Sequence, residues 1–109
     1  MTGNEFQKAC SRTYQSLDHK KMLNHGVFGL TSEAGEVSGI LQKTYQGHSL
    51  DTNHLMSECG DVLWMISEIL DSIGFTMEGC MQHNVDKLSK RYPDGFSSEK
   101  SLHRAEGDI

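Results

Sequence analysis

Apolar residues recur every three or four positions through two long stretches nearly free of chain-breaking residues, and this constrains the fold most. Val27, Leu30, Ala34, Val37, Leu41 and Tyr45 mark the first stretch; Leu55, Cys59, Val62, Ile66, Ile69 and Ile73 mark the second. Such spacing puts side chains on one face of an α-helix, whereas a strand needs a period of two, which is sustained nowhere here. Proline occurs once, at Pro93, and β-branched residues are few, which argues against a β-sandwich or barrel. The spacing predicts an all-α fold of long antiparallel helices joined by short loops.

Sparse punctuation sets the boundaries. Gly47 and Gly74 suit positions just past helix ends, Asp51 or Thr52 suits a helix start, and Pro93-Asp94-Gly95 closes a helix. Helices are expected over 4–17, 21–46, 51–73 and 76–92, giving a four-helix, bundle-forming single domain over 1–96 and a polar tail over 97–109. At 109 residues the chain has room for one domain of the usual size, about 100–200 residues. With 36% hydrophobic residues its core is thin, so pairing with another copy is a natural way to bury more surface. Gly26, Gly29, Gly35, Gly39 and Gly60 fall inside expected helices, each costing about 1 kcal/mol relative to alanine. They mark either local bends or close approach by another helix or a bound group.

A net charge of −5 excludes a broad nucleic-acid footprint, so no nucleic-acid partner is expected. No run of about 20 apolar residues exists, so no membrane partner is expected. Cys10, Cys59 and Cys80 are odd in number and widely spaced, which fits neither a disulfide framework nor a thiolate zinc site. With a polar N-terminus, this reads as a cytoplasmic protein.

The chemistry-bearing residues are two acid pairs, Glu33-x-x-Glu36 and Glu58-x-x-Asp61. Residues three apart share a helix face, so each pair aims two carboxylates one way. If the two long helices pack antiparallel, all four converge. Four close negative charges then demand compensation. An all-oxygen donor set without histidine or cysteine suits Mg²⁺, with Mn²⁺ as a substitute. Between Met22 and Asp86 stand nine acidic residues and one base, Lys43, followed by Lys87, Lys90, Arg91, Lys100 and Arg104. Carboxylates for a metal and cations for phosphate oxygens are what a metal–polyphosphate ligand requires. Acid pairs on helices are also commonly solvated, and Glu68-x-x-Asp71 is read that way.

The segment Gly29-Leu30-Thr31-Ser32-Glu33-Ala34-Gly35-Glu36-Val37 resembles the first motif of the MazG-like nucleotide pyrophosphohydrolases. Glu58-Cys59-Gly60-Asp61-Val62-Leu63-Trp64 resembles their second, and Asn84 to Phe96 resembles their closing helix and its exit. The resemblance runs from about Leu23 to Phe96, in the family's order and spacing. It implies an all-α fold that hydrolyses nucleoside triphosphates (NTP or dNTP) between the α and β phosphates, yielding a monophosphate and pyrophosphate. It implies Glu33, Glu36, Glu58 and Asp61 as Mg²⁺ ligands, and Asn84, Lys87, Arg91 and Tyr92 as phosphate and substrate contacts. It also implies a homodimer or homotetramer. Bound metal lowers the pKa of a coordinated water, so no nucleophilic side chain is required. Many relatives carry two adjacent glutamates where this chain has Ser32-Glu33; Glu36 is then the residue assigned to activating the water.

Other residues have plainer readings. Trp64 and Cys59 are expected in the core, as is Phe28, with a base pocket the alternative for the two aromatics. His25, His48, His54 and His83 are expected on the surface, and Met56, Met65, Met77 and Met81 in the core or an interface. Lys43 either reaches a phosphate or is solvated near a helix end. A carboxylate-bridged di-iron bundle needs Glu-x-x-His, which is absent. A non-catalytic helical interaction module, with solubilising acids, is the remaining alternative.

Overall fold

The computed structural model describes residues 1–108, and every regular element among them is helical. The order is α1 (Gly3–Ser11), α2 (His19–Tyr45), α3 (Thr52–Ser72), α4 (Met77–Arg91) and α5 (Ser98–Leu102). The all-α expectation holds, and the fifth, short helix lies in the segment read as a polar tail. None of these helices is long and apolar enough to cross a membrane.

Local chemistry explains the boundaries. Asp18 and Asp51 cap α2 and α3 by accepting from the backbone N–H of Lys21 and His54. Gly47 (φ +96°) and Gly74 (φ +81°) take the left-handed conformation just beyond α2 and α3. His48 N–H then donates to Lys43 C=O, and Phe75 N–H to Leu70 C=O, covering carbonyls left open at each helix end. α1 stops at Ser11, six residues before the expected Leu17. The chain leaves the helix because its next side chains have partners on α3: Thr13 Oγ1 accepts from Trp64 Nε1 (2.8 Å), and Tyr14 OH donates to Asp71 (2.6 Å). Tertiary hydrogen bonds override the local helical pattern here.

The chain forms two compact units, Met1–Met77 and the segment from Glu78 onward. In the first, α2 and α3 run antiparallel: Gly26 meets Ile69 and Met65, Gly29 meets Met65, and Glu33 reaches Glu58 and Asp61. At Gly26 the two helices approach so closely that a Cβ would lie 2.8 Å from Ile69 Cγ1 and 3.3 Å from the backbone of both Ile69 and Met65. Gly26→Ala is therefore expected to destabilise the fold by about 1–3 kcal/mol, lowering the melting temperature despite alanine's better helix propensity. Thermal denaturation checks this. Gly35, Gly39 and Gly60, by contrast, have open space where a Cβ would sit. Close approach explains two of the five helical glycines within the chain.

The junction of α1, α2 and α3 is polar. Gln7 is buried; its amide N–H donates to Asp71 (2.8 Å) and to Phe75 C=O (3.0 Å), and its oxygen accepts from Met77 N–H (2.8 Å) at the start of α4. Glu68, only 1% exposed, meets His25 Nδ1 at 2.6 Å. The expectation that Glu68 and Asp71 form a solvated pair is thus corrected. Both face the junction, where Tyr14, His25 and Gln7 supply the hydrogen bonds that burial of an acid requires. His25 is on the surface as expected, about half-exposed, and is engaged by this contact.

Among the described residues the buried hydrophobic side chains are few: Cys10, Met22, Ile40, Leu70 and Met77. The apolar stripes of α2 and α3 are only partly covered, with Val27, Leu41, Tyr45 and Ile73 exposed. Phe28 (75% exposed) and Cys59 are corrected from core to surface, while Met56 (70%) and Met81, expected in the core or an interface, are exposed. α2 carries apolar residues around more of its circumference than one antiparallel neighbour covers. Trp64 is half-buried, edge-on to Tyr14 and His25.

Candidate metal centre

Glu33 sits mid-way along α2, while Glu58 and Asp61 share one face of α3, three residues apart. The antiparallel crossing brings them together: one carboxylate oxygen from each lies within 4.8 Å of the others. Glu33 and Glu58 are half-buried and Asp61 is exposed, so the group opens to solvent on one side. Glu36, the fourth acid expected here, is exposed and lies outside this group of three. Its charge nonetheless acts on Glu33.

The electrostatics follow from that crowding. The Glu33 carboxyl is held above the usual carboxylate range, first by loss of hydration, then by the charges of Asp61, Glu58 and Glu36, and by a hydrogen bond with Glu58. A carboxyl raised in the folded state favours folding while it is protonated. That contribution is present below its unfolded value and is lost as pH rises through the folded one. Without divalent cations, Glu33→Gln is therefore expected to raise the melting temperature at neutral pH, the gain shrinking as pH falls into the carboxylate range. Melting curves across pH in a chelating buffer check this.

Three hard oxygens converging on one point, with no thiolate or imidazole inside the set, fit Mg²⁺ or Mn²⁺. One neighbour escaped the sequence reading. His54 Nε2 lies 3.0 Å from Glu58 Oε1, one turn back on α3, so this histidine orients a member of the acidic group. The i,i+4 spacing of His54 and Glu58 is the signal that reveals it.

The second unit carries the remaining site residues. Asn84, Lys87 and Arg91 follow one another at three- and four-residue steps on α4, hence on one face. Lys87 and Arg91 line one cleft, and Tyr92 stacks obliquely on Phe96 at 5.3 Å. Arg91 is not open to solvent as expected of a contact waiting for substrate; it grips Asp108 through two hydrogen bonds, of 2.8 and 2.7 Å.

The model of the MazG nucleotide pyrophosphohydrolase domain family matches residues 23–96, about two-thirds of the chain. The chain belongs to this family. Its MazG domain starts within α2, contains Glu33, Glu36, Glu58 and Asp61, and takes in all of α4. α1 and α5 lie outside the match, as do Gln7, Tyr14 and Asp108. The "Gene 37 protein" of Mycobacterium phage L5 is 26% identical over 78 residues, covering 67% of this chain and 68% of its own. No solved structure matches the chain. Membership of the MazG family supports nucleotide pyrophosphohydrolase activity in general, and the acidic group is one that could hold a divalent metal.

Proposed function

We propose that this protein hydrolyses a nucleoside triphosphate between its α and β phosphates, releasing a monophosphate and pyrophosphate, with Mg²⁺ required. The observation that carries the reading is the meeting of Glu33, Glu58 and Asp61 oxygens from two helices within 4.8 Å. Those three, joined by Glu36, hold the metal. The bound ion supplies Lewis-acid stabilisation of charge on the phosphoryl oxygens. Glu36, exposed and one turn from Glu33, accepts the proton of the attacking water. Asn84, Lys87, Arg91 and Tyr92 are the substrate contacts, with Lys87 and Arg91 binding phosphate oxygens by charge-assisted hydrogen bonds. Lys87→Ala or Arg91→Ala is expected to raise KM about tenfold, since each removes a cationic partner of the phosphates.

The protein acts as a homodimer or homotetramer. Phe28, Leu41, Met56 and Leu63 on α2 and α3 are exposed, and a copy packing on these faces hides them. Light scattering coupled to size exclusion reports the state. The deciding assay incubates the protein with each NTP and dNTP plus Mg²⁺ and measures pyrophosphate and orthophosphate separately. Pyrophosphate release supports the reading. Orthophosphate release from the triphosphate end, or no turnover of any nucleotide, overturns it; the latter favours a helical interaction module.

A further inference from the structure

The second unit contains a cleft of about 850 Å³ between α4 and the segment that carries α5. Lys87, Lys90 and Arg91 line one wall, and Lys100 and Arg104 belong to the other segment. These five permanent cations meet three carboxylates, Asp86, Glu106 and Asp108. Asp86 already accepts from Gln82 Nε2 (2.8 Å). Asp108 is the acid seated on the cations. Its two oxygens take Nε and a terminal nitrogen of Arg91, at 2.8 and 2.7 Å, the parallel fork that guanidinium forms with carboxylate or phosphate alike. Both side chains are largely enclosed, at 10% and 17% exposure. The charges of Lys87 and Arg104 act on the same carboxylate.

The backbone shows how Asp108 arrives. Its N–H donates to Ala105 C=O (3.1 Å), closing a turn in which Gly107 has φ +84°. Asp108 answers Arg91, and Lys87, Lys90, Lys100 and Arg104 then outnumber Asp86 and Glu106, an excess of positive charge that a ligand with several phosphate oxygens matches.

We infer that this cleft is a binding site for a di- or triphosphate group, and that Asp108 occupies its Arg91 position as an internal competitor that the ligand displaces. The inference rests on the reading of Arg91 as a phosphate contact; what it adds is the wall formed by Lys100 and Arg104 and the self-blocking carboxylate. A site closed by its own side chain binds with an affinity reduced by the fraction that is open. Releasing Asp108 therefore tightens binding.

The test is calorimetric titration of the full chain with inorganic pyrophosphate in EDTA, where no hydrolysis or metal bridging contributes. Asp108→Asn is expected to bind at least about fivefold tighter than the parent chain. Gly107→Val, which a positive φ disfavours, undocks the same carboxylate and tightens binding likewise. Lys100→Gln with Arg104→Gln weakens it at least about threefold, the loss expected for phosphate-binding charges. Equal affinity in the parent, Asp108→Asn and Gly107→Val overturns the inference. So does a single-stranded oligonucleotide that binds Asp108→Asn as tightly as pyrophosphate does. Because the readout is binding without turnover, tightening in a protein that hydrolyses no nucleotide leaves this inference standing while the proposed activity falls. Turnover with unchanged pyrophosphate affinity does the reverse.

Discussion

Glu58→Gln and Asp61→Asn are each expected to lower pyrophosphate release by at least about 100-fold while leaving the metal-free chain as stable as before, or more so. The two effects share one cause. Glu58 and Asp61 lie against Glu33 with oxygens within 4.8 Å, a clustering of like charge that opposes folding when no cation is present. Removing one charge relieves the repulsion and also removes a donor of the proposed metal site. Loss of one electrostatic contact to a developing charge costs about 10²–10³ in rate in well-studied hydrolases, and a metal ligand is at least as important. Circular-dichroism melts in chelator, beside steady-state assays in Mg²⁺, give both numbers. Solvated surface acids would leave rate and stability alike unchanged.

The second large effect concerns the fold behind that site. His25→Ala is expected to destabilise the chain by about 2–3 kcal/mol, lowering the melting temperature by about 10 °C or more. Glu68 is 1% exposed and its carboxylate meets His25 Nδ1 at 2.6 Å, so truncating the ring leaves a buried acid without that partner. The expected loss is below that for a wholly buried pair because His25 is 46% exposed and water can partly replace it. Adding Glu68→Leu should recover much of the loss, since no buried charge then remains. Denaturant titration of the two single variants and the double variant measures the coupling.

Helix periodicity and capping residues carried much of the architecture. Asp51, Gly47 and Gly74 act where their chemistry predicts, and α2 to α4 end within a few residues of the expected positions. α1 was overextended because nothing local to residues 12–17 announces that Thr13 and Tyr14 have partners on α3, more than 50 residues away. The same blindness misplaced Glu68 and Asp71. Their i,i+3 spacing is that of Glu58 and Asp61, and only the packing partners distinguish a buried hydrogen-bonded acid from one facing an open site.

At the acidic centre, spacing predicts that the carboxylates of each helix point one way, and the antiparallel crossing brings three of the four together. Glu36 is one helical turn from Glu33 and still lies outside the group, because the crossing, and not spacing alone, decides which residues of α2 meet α3. Phe28 reads as core from its helical spacing, yet a single antiparallel pair has only one face to hide, and Met56 and Met81, read as core or interface, are exposed as well. The Arg91–Asp108 pairing lay in a segment without periodicity, where a polar tail was the natural reading.

Manganese titration followed by electron paramagnetic resonance tests the central claim most directly, since free and bound Mn²⁺ are distinguished without turnover. The parent chain and Glu99→Gln, an acid outside the centre, are expected to bind Mn²⁺ equally, whereas Glu33→Gln, Glu58→Gln and Asp61→Asn each bind at least about tenfold more weakly; equal binding by all five proteins, or by none, would contradict the account.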